Sequence, residues 1–568
     1  MPEWEFQNNR LCIDYGNGPE DYCEAVGITE VRTDIISGEK EVDISVFADT
    51  GEASVTIPRS KLSLDVFPAL WGLGLTVPDD KDDKALVLKV LFETEADAEK
   101  YFVHHKLGFI QENEKNRFDD KLIFLGDKAV GTDKSSFFYD PLKFRRKGTF
   151  KAWREGIKIF IDKRPSLQLA LILGITSPVA ALLSRYNAFD GTAVFSLVGA
   201  SSTGKSSSLK LGASPWGLPA INTGVIDDFR TTKNFFFESL GKKDGFYFGY
   251  DESSAQPSWD FTDVVYDIQA GTEKGRCFPD GSPRPRNTWA GSVIITGEKS
   301  LFEQTNKNKG LFARLVELTI PWTHDAKEAE DIVSFATSQY GTAYVPLVQK
   351  LLETSKEELT SLFFDSLELV ISNIKPQSGV ERRIARFYAL ILTTAQIASE
   401  AWELEFDFEA ILELLKTNHL NNVTLCDPGE LLYERLVEQV LENNGKFQTR
   451  NKEFDILPSS CWGTFGTRGK NKWPCVWISM DRFSQMVEKA GEPNIALAKT
   501  LLFEKGYLVK FGDRFVNMQK LGDIRTKMYC LMLGIPNEYA GQEPKKDYPI
   551  KRVIRSNLSK LLYDNEDD

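Results

Sequence analysis

Apolar and polar residues alternate in short runs at the start of the chain and give way to nearly unbroken apolar runs in its middle. Between Glu3 and about Gly126, segments such as Glu41-Val42-Asp43-Ile44-Ser45-Val46 and Ala53-Ser54-Val55-Thr56-Ile57 place their apolar side chains on one face of an extended strand, with Gly, Asp and Pro as punctuation. The spacing from Thr94 to His105 predicts a helix after these strands. Together they describe a mixed α+β domain over residues 1–140, closed by the polar stretch from Gly126 to Asp140. Lys143-Phe144-Arg145-Arg146-Lys147-Gly148 then leads into helices.

Further on, Ala193 to Val198, Phe246 to Tyr250 and Ser292 to Thr296 are apolar almost throughout, as strands buried on both faces must be. Each ends in a polar or glycine-rich turn, so the three are expected to run parallel and deliver residues to one sheet edge. The apolar run Leu167 to Leu183 contains Gly174 and Pro178 and falls short of the ~20 residues of a membrane span, so a pair of core helices is expected there. After Pro321 the pattern is helical to about Leu425; beyond Pro428, Leu432, Leu436 and Val440 share one face of another helix, with Gly445 as its stop. Leu501 to Val516 reads as a helix running into a hairpin, and helices followed by such a hairpin suggest a winged helix-turn-helix.

A chain of 568 residues can bury several cores. Its net charge of -13 argues against indiscriminate coating of nucleic acid but leaves room for a local basic groove. The seven cysteines (Cys12, Cys23, Cys277, Cys426, Cys461, Cys475, Cys530) form no CxxC pair and only four histidines accompany them, which speaks against structural zinc or a disulfide framework. MPEWEFQNNR has no apolar stretch behind a basic start, so a cytoplasmic protein without a secretory signal or membrane partner is expected.

Gly199-Ala200-Ser201-Ser202-Thr203-Gly204-Lys205-Ser206 fits GxxxxGK(S/T) between a strand and the helical Ser207 to Leu211. In such a loop, backbone N–H groups through Ser207 curl around phosphates, Lys205 brings a point charge to the β/γ oxygens, and the Ser206 hydroxyl ligates magnesium. The cofactors expected are therefore ATP and Mg2+. The strand Phe246 to Tyr250 runs into Asp251-Glu252, where Asp251 can hold the magnesium shell and Glu252 can orient and deprotonate the attacking water, as hydrolysis requires. Thr296, ending the third strand, is placed as a sensor near the γ-phosphate. Arg314, after a Lys/Asn-rich loop, is a candidate arginine finger toward a neighbouring subunit. Arg383, flanked by Arg382 and Arg386 on a helix, is the candidate for sensing nucleotide from the helical bundle.

Between the second and third strands, Lys274, Arg276, Arg284 and Arg286 flank the turn Asp280-Gly281, so a hairpin carries two basic residues on each arm. In a ring, a hairpin at this place projects toward the central channel, where basic side chains track a phosphate backbone. A second basic segment, Lys545 to Arg555, precedes the acidic end Asp564 to Asp568 and either grips DNA or solvates a tail.

GASSTGKS followed by PWG, YDE, YDIQAGTEKGR, TWAGSVIITGE and RRIARFYAL, spread over roughly residues 145–400, resemble the MCM-like, self-loading helicases of mobile genetic elements such as staphylococcal cassette chromosomes. The resemblance implies a multidomain α/β protein: an α+β N-terminal domain (1–140), an AAA+ P-loop ATPase core with a pre-sensor hairpin (141–345), a helical lid (346–427) and a winged-helix C-terminal domain (428–568). It implies a hexameric ring that hydrolyses ATP at subunit interfaces, with Arg314 and Arg383 as finger and sensor, and that unwinds single-stranded or forked DNA beside replication partners of the same element. The alternative is an AAA+ loader or defence switch that remodels DNA or a protein client without unwinding, the acidic N-terminal domain then holding the client.

Overall fold

The computed structural model describes residues 3–49, 51–112, 121–138, 144–255, 259–284, 286–304, 309–376, 378–426, 428–449, 460–468, 473–492, 494–521 and 524–533. The chain divides into two compact units, residues 1–305 with 313–418, and residues 306–312 with 419–568.

The first unit opens with an antiparallel run of strands, β1 (Glu3–Gln7), β2 (Arg10–Asp14), β3 (Pro19–Asp34), β4 (Lys40–Ala48) and β5 (Gly51–Pro58), paired in that order. The alternation read in β4 holds: Val42, Ile44 and Val46 are buried against the helix Lys81–Thr94, whose N-terminus Asp80 caps with two backbone N–H bonds. The helix expected from Thr94 to His105 is a correction. The helix stops at Thr94, and Glu99–His104 is strand β6, parallel to β3. Tyr101, Phe102 and Val103 are strand-favouring residues with β3 to pair against, and that pairing overrides the local helical spacing.

β7 (Leu107–Glu112), β8 (Lys121–Leu125) and β9 (Ala129–Val130) form a small sheet, and β10 (Ser136–Phe138) pairs with β6. Leu107, Phe109 and Phe124 lie before residue 140 yet belong to the core of the central region.

The central sheet is entirely parallel. β11 (Ala193–Val198), β12 (Ile226–Asp228), β14 (Phe248–Asp251), β15 (Ser292–Gly297) and β16 (Leu315–Leu318) lie in the order β12-β14-β15-β11-β16, while the two-residue β13 (Lys243–Asp244) extends the β7 sheet instead. A Cβ on Gly108 would sit 1.6 Å from the Asp244 carbonyl oxygen, so β13 can approach β7 only over glycine. The three expected strands are present; β12 and β16 are additional.

Leu167 to Leu183 is not a helix pair but part of one helix, Pro165–Arg185. Pro178 frees the carbonyl of Gly174, and the indole N–H of Trp216 donates to it at 2.8 Å, so the helix continues without an orphaned acceptor. Among the described residues this is the one helix long and apolar enough to cross a membrane, and 94% of its most apolar window is buried inside the protein. The helices Ala326–Ser338, Tyr344–Glu353, Lys356–Ile374, Gly379–Trp402 and Phe408–Cys426 follow, as the pattern after Pro321 predicts.

In the second unit the helices Pro428–Glu442, Met480–Lys489 and Ile495–Glu504 accompany a sheet ordered β17-β18-β19-β21-β20 (Phe447–Thr449, Gly463–Arg468, Trp473–Ser479, Ile524–Met532, Val516–Leu521). The helix predicted from Leu501 begins earlier, at Ile495; the turn of the expected hairpin is present, Phe511 and Arg514 exchanging both backbone hydrogen bonds (2.7 and 3.2 Å), and a longer hairpin, β20–β21, starts at Val516. Lys545 to Arg555 and Asp564 to Asp568 lie outside the described residues.

Candidate nucleotide site and basic hairpin

β11 feeds directly into the loop Gly199–Gly204 and the helix Lys205–Ala213. Ser202 (φ 65°) and Gly204 (φ 82°) are both left-handed, which curls the loop. At Gly204 glycine is required twice over: the conformation is strained for other residues, and a Cβ would lie 2.4 Å from Thr323 Oγ1. The same segment supports the loop from below, the Trp322 N–H donating to the Thr203 carbonyl at 3.1 Å. Lys205 Nζ donates to the carbonyls of Gly199 (2.8 Å) and Ala200 (2.7 Å), which keeps the ammonium at the loop.

β15 lies between β11 and β14, so Thr296 falls between the loop Gly199–Gly204 and Asp251. The Thr296 hydroxyl donates to Asp251 Oδ1 at 2.5 Å and accepts the Glu252 N–H at 3.0 Å. Ser206 Oγ donates to the same Asp251 oxygen at 3.1 Å. A hydroxyl and a carboxylate thus converge as hard oxygen donors beside the loop, a set that suits Mg2+. Glu252 is held at φ 59°, a strained conformation for a side-chain-bearing residue. The buried Tyr247 hydroxyl donates to the Leu209 carbonyl at 3.0 Å, tying the approach to β14 to the helix that carries Lys205 and Ser206; burial pushes this phenol well up, so it stays a donor.

Arg314 and Arg383 are brought together, but away from this loop. Arg314 immediately precedes β16, whose first residue lies beside Val194 near the start of β11. Its guanidinium stacks 4.4 Å over the Tyr266 ring. With Arg383, Arg386, Asp190, Gly191 and Gln269 it lines a cavity of about 420 Å3. β11 separates the two places by roughly 20 Å, at about 3.3 Å per residue, so neither arginine is placed to touch the loop of its own chain.

The hairpin is formed. The Arg284 N–H donates to the Arg276 carbonyl at 2.8 Å, Gly281 takes φ 83° in the turn, and Asp280 accepts from the backbone and hydroxyl of Ser282, which lowers its pKa. Its four basic residues are all exposed but differ in company. Lys274 pairs with Asp267 (3.3 Å) and more loosely with Asp263, and Arg276 donates to Asn234 Oδ1 (2.6 Å), whereas Arg284 and Arg286 lie on the other arm.

Sequence reasoning missed Trp322 and Thr323 beneath the loop, and Glu298, whose carboxylate accepts a bond from Ser201. Glu298 stood within the TGE segment and carried a signal; Trp322 and Thr323 carried none, because only the fold brings residues so distant in sequence to the loop.

Fold and site define a multidomain α/β protein with a GxxxxGK(S/T) loop at the C-terminal ends of a five-stranded parallel sheet. The family described as a domain of unknown function, DUF927, matches residues 19–288. No curated protein matches the sequence. A solved structure described as SCCmec type IV Cch, an active helicase, shares the fold with a TM-score of 0.69 over 95% of this chain and 98% of that chain, at 20% identity. This likeness shows that the two chains share one fold over nearly their whole lengths.

Proposed function

We propose that the protein is a cytoplasmic ATP-driven DNA helicase with an AAA+ core and a winged-helix C-terminal domain, acting as a hexameric ring in the replication of a mobile element. The observation that carries this reading is the convergence of Ser206 and Thr296 on Asp251 beside the loop of Lys205, with Glu252 next in the chain. Fold likeness to an active helicase favours unwinding over loading. Mg2+ held by Ser206 and Asp251 would neutralise charge on the ATP phosphates. Lys205 would bind the β/γ oxygens, and backbone N–H groups from Gly199 to Ser207 would orient the chain of phosphates. Glu252 would align the attacking water and accept its proton, while Thr296 keeps both acids in register.

The placement of Arg314 and Arg383 at the opposite end of the strands supports their use in trans, on a nucleotide held by a neighbour. Arg284 and Arg286 supply the exposed cationic arm of the hairpin for a DNA backbone, with Lys274 and Arg276 behind them. The test is ATP-dependent strand separation on a forked duplex, with Glu252→Gln as a control that binds nucleotide without hydrolysing it. Unwinding by the parent alone supports the helicase. Hydrolysis stimulated by DNA without strand separation turns the reading to a loader or translocase, and hydrolysis indifferent to DNA removes DNA as the partner.

A further inference from the structure

Charge is divided unevenly along this chain. Residues 1–104 hold 22 acidic and 9 basic side chains, a net charge of -13, which is also the net charge of all 568 residues, so everything after them balances. Within that acidic domain β1 is the outermost strand: among the described residues it pairs with β2 alone. Its two faces differ sharply. Trp4 and Phe6 lie opposite the buried Ile13 and Leu11 and therefore share the core-side face. Phe6 is nevertheless 44% exposed, Trp4 is half-buried with its ring 5.1 Å from that of Phe6, and the Trp4 indole N–H donates to Glu93, the neighbour of the 41% exposed Phe92. The apolar layer between sheet and helix thus ends at β1 without a cover. On the opposite face stand the exposed Glu3 and Glu5, with Asp14 directly across from Glu3.

We propose that β1 is the docking strand for an extended segment of another protein in which Lys or Arg alternates with apolar residues. Strand addition uses the outward backbone groups of an edge strand as its ladder, and the side-chain period of two separates what the two faces of the added strand meet. Its apolar residues cover Trp4 and Phe6, and its basic residues meet Glu3, Glu5 and Asp14. A second copy of this chain does not suit the edge, because β1 against β1 sets glutamates against glutamates, and like charges across a strand pair destabilise it. Nucleic acid does not suit this edge, because Glu3, Glu5 and Asp14 would face its phosphates.

The test uses the full-length chain and a fluorescein-labelled synthetic peptide alternating Lys with Val and Phe, read by anisotropy. A peptide of the same composition, with its lysines in one block, is the comparison. The alternating peptide is expected to bind about tenfold more tightly than the block peptide, to weaken with added salt, and to lose about tenfold in affinity on Glu3→Lys with Glu5→Lys. Phe6→Ser should weaken it separately, and thermal melts of each variant check the fold, with Glu3→Gln and Glu5→Gln replacing the charge reversal if that variant unfolds. Equal binding of the two peptides, or equal affinity for parent and charge-altered chains, would overturn the proposal. So would concentration-dependent self-association that the β1 variants abolish, since the occupant would then be a second copy.

Discussion

Replacing Thr296 by Val keeps the branched shape and deletes one hydroxyl, the one that donates to Asp251 Oδ1 and accepts the Glu252 N–H. A bond to a charged acceptor contributes about 1.5–3 kcal/mol, and the amide it also satisfies belongs to a residue already in a strained left-handed conformation. If the hydroxyl serves to align the two acids for attack by water, that whole amount enters the barrier. At about 1.4 kcal/mol per factor of ten, kcat for ATP hydrolysis should fall roughly ten- to hundredfold. KM for ATP depends on the loop rather than on this alignment and should move by less than about twofold. Thr296→Ser restores the hydroxyl and should recover most of the lost turnover. Steady-state phosphate release, with thermal melts to confirm folding, reads all three quantities. A Thr296→Val enzyme with parental kcat, or one whose KM rises while kcat holds, would refute the reasoning by making Thr296 a spectator or a binding group.

Three further outcomes follow from the geometry. Lys205→Ala and Arg314→Ala chains should each lose turnover alone and regain part of it when mixed, because one contributes an intact arginine face and the other an intact loop; well-formed mixed rings without recovery would count against action in trans. Arg284→Ala with Arg286→Ala should leave basal hydrolysis within about twofold of the parent while removing its stimulation by DNA, and an unchanged DNA response would take the hairpin out of the DNA path. His104 is buried between Ser136 Oγ (2.8 Å) and the Gly126 carbonyl (2.7 Å), and burial pushes its pKa down. Its stabilisation is therefore complete above the unfolded value of about 6.5 and is lost as pH falls below it toward the folded value, since the unfolded chain takes up the proton first. Melting temperature should decline over that interval, and less steeply in His104→Gln; equal slopes would exclude this imidazole as a source.

The parts of the fold written in local pattern were legible. Strands buried on both faces announce themselves as unbroken apolar runs, and β11, β14 and β15 were found that way together with the loop and acid pair at their ends. β12 and β16, with three and four residues, are too short to carry a period, and both owe their existence to neighbours already in the sheet. Glu99–His104 was misread for a related reason: its strand character comes from β3, a partner remote in sequence. The continuous helix through Pro178 depends on Trp216, a compensation that no window around the proline contains. In the candidate site, residues on consecutive strand ends were predictable from the order of a parallel sheet. The location of Arg314 and Arg383 at the far end of the strands was not, because it follows from the pairing of β16 with the start of β11 and not from spacing along the chain.

β16 begins beside Arg314 and ends at Leu318, and the chain after it brings Trp322 and Thr323 against Thr203 and Gly204. The arginine and the support of the loop are thus joined by one short strand of the sheet and the few residues that follow it. In a ring, each subunit's grip on its own nucleotide would tug on the group it lends next door, and the sites would be wired in series. Trimming Thr323 to Ala should slacken that wire and lower the Hill coefficient of ATP hydrolysis more than its rate; an unchanged coefficient would mean the sites fire as independent cells.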